Sequence, residues 1–452
     1  MRLLFLAVVA VSSLASLPRP PIAAHATLVS SEPAANSQLA VAPRRIRLVY
    51  SEPVEGRLSR VTLVASAGGT IVLKPAADPR DVHAVIAPVD SLAPGRYKVD
   101  WRVVSADGHP VNGAYWFAIG DTTLGAPPSP PVTEPPAAAE PEPEPPMEDD
   151  VWGPSVSGAP LIPALFRGTG LGALMAVAGM LLLLARAEPN AAQIGDPRVR
   201  RAMTVLALAA AAVLAGHVVT WLINTSPEHT FDTAWAASAL GTTVGKIELW
   251  RTGLAVLALW AWWIARRPRV ALVFAAGALA VSGATGHSAA IQPLVAIPAK
   301  AIHLLASGVW VGGLAWLVVR PANDTPSLFA SDANRVSSLA LGAVVAVGLT
   351  GVLQTLMFLP SVRDVFTSPY GWIALAKTAG FLVLAAFGAY HRQRVMPRIA
   401  AAGEAADGVV LRASVRREIL VMVVVILLGG LLAYVPPPEE GSAMSTPTES
   451  TS

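Results

Sequence analysis

Two short stretches about eighty residues apart carry the side chains best placed for chemistry: His25, behind an apolar leader, and Asp107-Gly108-His109. A chain cut after Ala24 would begin with histidine, whose α-amine and imidazole Nδ1 close a chelate ring on one metal ion. Asp107 and His109 then complete a four-donor set of nitrogen and oxygen. Such a set suits Cu(II), which prefers tetragonal N/O coordination and heads the Irving–Williams order. Asp-Gly-His is also a common turn, with Asp capping amides and Gly supplying positive φ. It is the exported, histidine-first context that turns the tripeptide into a ligand candidate.

That context comes from the first residues. Met1-Arg2 and the apolar run Leu3 to Leu17 read as a signal peptide, too short for a comfortable membrane span. Small residues allow cleavage after Ala24 or after Ala26, and only the first leaves His25 at the terminus. A leader over 1–24 is therefore the expectation.

Composition bounds the rest. A chain of 452 residues that is 53% hydrophobic and 14% charged belongs largely in a membrane. The absence of cysteine excludes disulfides, thiolate copper sites and CxxC relays. The net charge of +3 sits in short basic clusters between apolar runs, which points to lipid orientation and away from nucleic acid.

Over residues 25–120 the hydrophobic period is two. Tyr97, Val99, Trp101 and Val103 alternate with Lys98, Asp100 and Arg102, and Ile46, Leu48 and Tyr50 with Arg45 and Arg47, as in half-buried strands. Turn clusters at 66–69, 77–79 and 93–95 separate the apolar runs, so a small antiparallel sandwich is expected. His83 reads as a solvated surface histidine. The segments 25–34 (HATLVSSEPA), 49–54 (VYSEPV) and 92–113 (LAPGRYKVDWRVVSADGHPVNG) resemble the periplasmic copper-binding CopC family. The resemblance implies a cupredoxin-like or Ig-like β-sandwich that holds Cu(II) through His25 and its amine, Asp107 and His109. Some members carry a Met-rich Cu(I) site; no methionine occurs between residues 25 and 146 here, so one Cu(II) site is expected.

A linker over 121–155 follows. Residues 121–150 hold ten prolines and eight acidic residues with no lysine, arginine or aromatic side chain. Nothing there can form a core, and an extended tether of up to roughly 90 Å is expected.

Residues 156–436 contain eight apolar segments of spanning length, at 161–185, 202–223, 247–265, 269–287, 298–319, 336–358, 371–390 and 417–435. An all-α bundle of eight transmembrane helices is expected, with a disordered tail over 437–452. Arginines crowd the connections after the first, third, fifth and seventh segments, whereas the opposite connections carry Lys246, Lys300 and Arg363. By the positive-inside rule both ends of the mature chain lie outside, in a multi-pass protein of the bacterial inner membrane. His217, His287 and His303 then fall near one depth beneath the exported domain. Together with Met357 they are the candidate copper path, and each has a rival reading as helix-packing glue. Gln354 is a further neutral candidate, Met175 and Met180 read as core, and His391 as interfacial. The runs 301–316 (AIHLLASGVWVGGLAW) and 370–377 (YGWIALAK), with Gly286-His287-Ser288 and Leu349-Thr350-Gly351, resemble the CopD family of copper-resistance membrane proteins.

The two resemblances imply a fused CopC–CopD protein that binds Cu(II) outside and moves copper across the membrane, inward. Copper ion, membrane lipids and periplasmic copper chaperones are the expected partners. No nucleophile constellation or nucleotide loop is evident, so no enzymatic activity is expected. Two alternatives remain at this stage: copper tolerance by sequestration with the bundle as anchor, and a membrane redox protein with haem held by helix histidines.

Overall fold

In the computed structural model residues 26–105, 108, 110–120, 161–186, 196–226, 230–319, 326–397 and 405–438 are described. The chain divides into two compact units, one within 25–159 and one carrying residue 160 onward.

The first unit is a two-sheet sandwich. β1 (Leu28–Glu32), β3 (Arg45–Tyr50), β7 (Asp81–Pro88) and β6 (Ala76–Asp78) form one sheet in the order β1-β3-β7-β6. β2 (Gln38–Leu39), β9 (Pro110–Ile119), β8 (Gly95–Val104), β4 (Arg60–Ala65) and β5 (Thr70–Val72) form the other, in the order β2-β9-β8-β4-β5. Pairing is antiparallel except for the short β2 along β9. The alternation in the sequence is what builds it: Tyr97, Val99, Trp101 and Val103 all face the core with Ile46, Leu48, Tyr50 and Phe117. Trp101 pairs with Gly113, and a Cβ at Gly113 would strike the indole, so the register leaves that position without a side chain.

Tyr50 is 2% exposed, edge-on to Trp101 at 5.2 Å, and its buried hydroxyl has no hydrogen-bond partner among the described residues. Burial pushes this phenol far above its ordinary value of about 10, and pushes Tyr115 up to about 12. A phenol whose folded pKa is raised leaves stability intact below the unfolded value and removes it as pH rises beyond. Urea unfolding of the β unit should therefore show stability falling above pH ~10, by up to about 1.4 kcal/mol per pH unit for each such phenol. Tyr50→Phe should flatten that slope; an unchanged slope would refute the assignment.

The second unit is helical. Its elements are α1 (Leu161–Arg186), α2 (Pro197–Thr225), α3 (Thr233–Leu240), α4 (Thr243–Trp263), α5 (Pro268–Val281), α6 (His287–Ala290), α7 (Pro293–Val319), α8 (Pro326–Phe358), α9 (Val362–Thr367), α10 (Pro369–Tyr390) and α11 (Ala405–Leu432), with a π-helical turn at His391–Val395. Asp196 caps α2 ahead of Pro197, Asp232 caps α3, and Ser361 with Asp364 forms a capping box on α9. α1 is central: 72% of its apolar window is buried against 11% for the stretch containing α10. Met175 and Met180 lie in its core, as the sequence indicated.

The expected spanning segments fall largely in helix, and among the described residues five helices are long and apolar enough to cross a bilayer: α1, α2, α7, the 331–358 part of α8, and Pro369–Val395. α4 carries Lys246, Glu248 and Arg251 inside it. The expected span at 269–287 needs correction. α5 ends at Val281 after 14 residues, about 21 Å of helix against a hydrocarbon core of about 30 Å. A 3-10 turn follows at Ser282–Ala284, and Gly286 at φ +66° breaks the path, so that His287 opens α6 instead of closing the preceding helix. The cause is local: Ser282 Oγ bonds back to the Ala278 carbonyl at 2.7 Å, and Gly283 packs against the backbone of α7. α7 also starts earlier than expected, at Pro293, with Pro298 inside it.

Candidate metal centre

His25, Asp107 and His109 lie outside the described residues, but the residues that flank them do not. The Thr27 amide donates to Ser51 Oγ at 3.0 Å, and the Ser51 amide donates back to the Thr27 carbonyl at 2.9 Å. Three residues on, Val54 forms an antiparallel bridge with Ser105, and the Glu55 amide donates to the Val104 carbonyl at 2.8 Å. The Gly108 amide donates to the Ser105 carbonyl at 2.9 Å, with Gly108 at φ +92°. One segment, 51–55, is thus tied on one side to a residue two past His25 and on the other to a residue two before Asp107.

The same segment holds Glu52, a carboxylate only 5% exposed. A buried acid costs folding energy unless a partner or an ion offsets it. Glu52 lies inside the 49–54 segment that resembles the CopC family, without being one of the ligands that the resemblance implies. His83, by contrast, is 43% exposed and beside Asp81, a surface histidine as expected.

The candidates in the helical unit have clear neighbours. His217 in α2 is 1% exposed, with Nδ1 3.1 Å from Glu248 and 2.9 Å from Arg251 Nη2, and Nε2 2.7 Å from the Tyr434 hydroxyl. Both ring nitrogens are engaged, so His217 could ligate a metal only by giving up one of them. His287 Nε2 faces the Val435 carbonyl at 3.0 Å, which fixes that nitrogen as the donor, and its ring meets Phe358 and Tyr370 edge-on. Met357 lies in the apolar cluster that contains Phe358 and Tyr370. His303 Nδ1 is 3.0 Å from Thr350 Oγ1, and Gln354 donates to the Thr350 carbonyl.

These positions correct the expectation of one shared depth. His303 is ten residues into α7, about 15 Å along its axis, because that helix begins at Pro293. His287 and His303 touch α8 at Phe358 and Thr350, eight positions or about 12 Å apart. Among the described residues no group of three or more His, Asp or Glu side chains is placed to hold a metal ion. His391 is also more buried than its interfacial reading implied, at 9% exposure, with Ser414 Oγ at 2.8 Å and Glu418 at 3.5 Å.

The charged partners of His217 are not among the histidine and methionine candidates of the sequence. Glu248 and Arg251 are paired one turn apart on α4, and Arg167 on α1 donates to Thr285 Oγ1 at 2.6 Å. Lys300 on α7 donates to the Thr285 carbonyl. An ionisable residue inside an apolar span is itself the signal that would have found them.

Three family models match the chain: the CopC domain over residues 28–120, the copper resistance protein D-like N-terminal domain over 159–293, and copper resistance protein D over 330–432. Protein YobA of Escherichia coli (strain K12) is 42% identical over 106 residues, covering 23% of this chain and 86% of that protein. The chain belongs to the CopC family and is a CopC–CopD fusion. Copper resistance protein C of Pseudomonas syringae pv. tomato is 40% identical over 105 residues, covering 21% of this chain and 81% of that protein. Copper transport protein CutJ of Bacillus subtilis (strain 168) is 27% identical over 397 residues, spanning both halves, with 81% of this chain and 68% of CutJ covered. With its long apolar helices and its CopD match, this fusion is a membrane protein.

Proposed function

We propose that this CopC–CopD fusion captures Cu(II) outside the membrane and moves copper inward through its helical unit. His25 with its amine, Asp107 and His109 hold the ion, and Glu52 stands in the segment between them. The supporting observation is the tie of segment 51–55 to both Thr27 and Ser105. Two residues of chain reach at most about 7 Å, so both ligand-bearing stretches are tethered to one edge of the sandwich. The relatives named for copper resistance and copper transport support the same cargo.

In this reading residues 1–24 are a cleaved leader, 121–155 a tether that keeps the copper domain concentrated near the bundle, and 437–452 a tail. All eight apolar helical segments cross the inner membrane of a bacterium, with the basic loops in the cytoplasm. α4, which packs on α2 and α5, and the short α5, which packs on α1 and α7, cross within the bundle, where neighbours satisfy the backbone interrupted after α5. His303 is the first choice for a residue on the copper path, because its ring faces a neutral hydroxyl while His217 is held by ionic partners. Periplasmic copper chaperones are the proposed donors. No bond-making chemistry is assigned to the chain.

The test is cellular copper measured with the fusion absent, present, or carrying His303→Ala. Accumulation should rise with the wild-type chain and fall toward the level of cells lacking it with the variant, at equal protein abundance. Equal copper in wild-type and His303→Ala cells would refute this path, and lower copper in cells with the wild-type chain would reverse the direction.

A further inference from the structure

Three side chains near the end of the bundle that carries Arg392 and Arg394 form a polar chain that the copper path above does not use. Ser414 and Glu418 lie four positions apart on α11, so both face the same neighbour. That neighbour is His391, which opens the π-helical turn after α10. Its Nε2 is 2.8 Å from Ser414 Oγ, and its Nδ1 is 3.5 Å from Glu418 Oε2. The Glu418 side chain is 1% exposed; the Trp310 indole N–H of α7 donates to its carboxylate, while Oε2 has no hydrogen-bond partner among the described residues. Single π-helical turns of this kind occur frequently at functional sites.

Glu418 differs from Glu248 in what offsets it. Glu248 has Arg251 against it, whereas the ion-pair partner of Glu418 among the described residues is an imidazole. The fixed charges on the elements packed against α11 are engaged or placed elsewhere. Lys377 of α10 stands beside Gly429, eleven positions or about 16 Å along α11. Arg167 of α1 and Lys300 of α7 both bond to Thr285, and Asp332 of α8 accepts from Trp316 with Arg335 at 4.0 Å. Arg186, Arg392, Arg394, Arg416 and Arg417 are exposed. A carboxylate this buried needs one positive charge beside it, and an imidazole supplies that charge only by holding a proton. The pair is thus neutral with one proton on Oε2 or Nδ1, and once that proton leaves, a cation must take its place.

We propose that His391 and Glu418 form an exchange site that holds either one proton or the passing metal cation, with the half-buried Ser414 linking the imidazole to the surface. One imidazole nitrogen and one carboxylate oxygen suit a divalent transition metal, and two donors make a transient stop instead of a resident metal centre. A proton that arrives past Ser414 forms the Nδ1–H or Oε2–H bond and releases the ion to the side of the basic loops. The next ion breaks that bond and sends the proton the other way. Copper and protons therefore move in opposite directions, one for one. The coupling rests on the transport proposed above; the bound proton does not.

Two measurements on the full chain test the exchange. In infrared difference spectra of the purified protein between acid and alkaline buffer, the pair should give a carboxyl or imidazole band that is lost in alkali and is missing from Glu418→Gln. In vesicles with the membrane potential clamped at zero, an interior one pH unit more acidic should raise accumulated copper about tenfold, the ratio set by one proton per ion. Glu418→Gln should abolish that dependence. If Glu418→Gln does not fold, Ser414→Ala replaces it and should move the midpoint of the band by removing the Nε2 partner. A band that neither variant alters overturns the proton site. Copper that ignores the gradient, or that rises with an alkaline interior, overturns the exchange. No copper accumulation under any gradient refutes the transport reading and the coupling with it, and the band alone then decides the proton site.

Discussion

A single residue added ahead of His25 is expected to weaken Cu(II) binding by more than about a hundredfold, beyond the 10–100-fold that outer-shell changes typically cost. The extension converts the α-amine into an amide and so removes one donor and the six-membered chelate ring it closes with the imidazole and the metal. Asp107 and His109 would keep their positions, so the loss should appear with the sandwich still folded. Binding should also fall in acid, because imidazoles near pKa 6.5 and an amine near 8 must shed protons before they ligate. Competition titration of Cu(II) against a chelator, on chains starting at His25 and one residue earlier, reads both effects. Equal affinities, or a mature terminus found at Thr27, would sink the site.

The other large effect is expected at Gly179 and Gly312, where α1 and α7 touch backbone to backbone. A Cβ on Gly179 would collide with the Gly308 carbonyl and sit 2.7 Å from the Gly312 Cα; one on Gly312 would collide with Gly179 and lie 2.6 Å from the Met180 nitrogen. The obstructing atoms are backbone, so neither clash can be relieved by turning a side chain. Overpacking of this kind costs up to roughly 3 kcal/mol where side chains can yield, and more is expected here. Gly179→Ala and Gly312→Ala should each lose most of the monodisperse protein on gel filtration in detergent. Gly342→Ala and Gly388→Ala, where an added Cβ meets nothing within 4 Å, should retain it. Normal recovery of both spine variants would disprove the close contact.

The sandwich was legible in the sequence because a strand declares its buried face at every second residue: β8 and β3 bury the side chains that the alternation assigned to the core. Existence of the helices was legible for the same kind of reason. Their ends were not, since hydropathy averages over a window and cannot see a turn built from Ser282, Gly283 and Thr285, small residues that read as neutral. Pro298 misled in the other direction, looking like a start while sitting inside α7. The chemistry divided similarly. A histidine's element can be inferred from periodicity, but its partner cannot: nothing adjacent to His217 in sequence announces Glu248 and Arg251, which arrive from α4, or Tyr434, which arrives from the turn after α11. Glu52 was hidden by its place just past the end of β3, between Ser51 and Pro53, where an acid reads as a solvated turn residue.

The contact between α1 and α7 also has a mechanical consequence. Two helices whose backbones meet at Gly179, Gly308 and Gly312 have no cushion of side chains to shear, so they can neither slide nor roll past each other without collision. They form one stiff strut through the middle of the bundle. In the transport proposed for this chain, rearrangement is therefore borne by parts of the bundle other than this pair of helices.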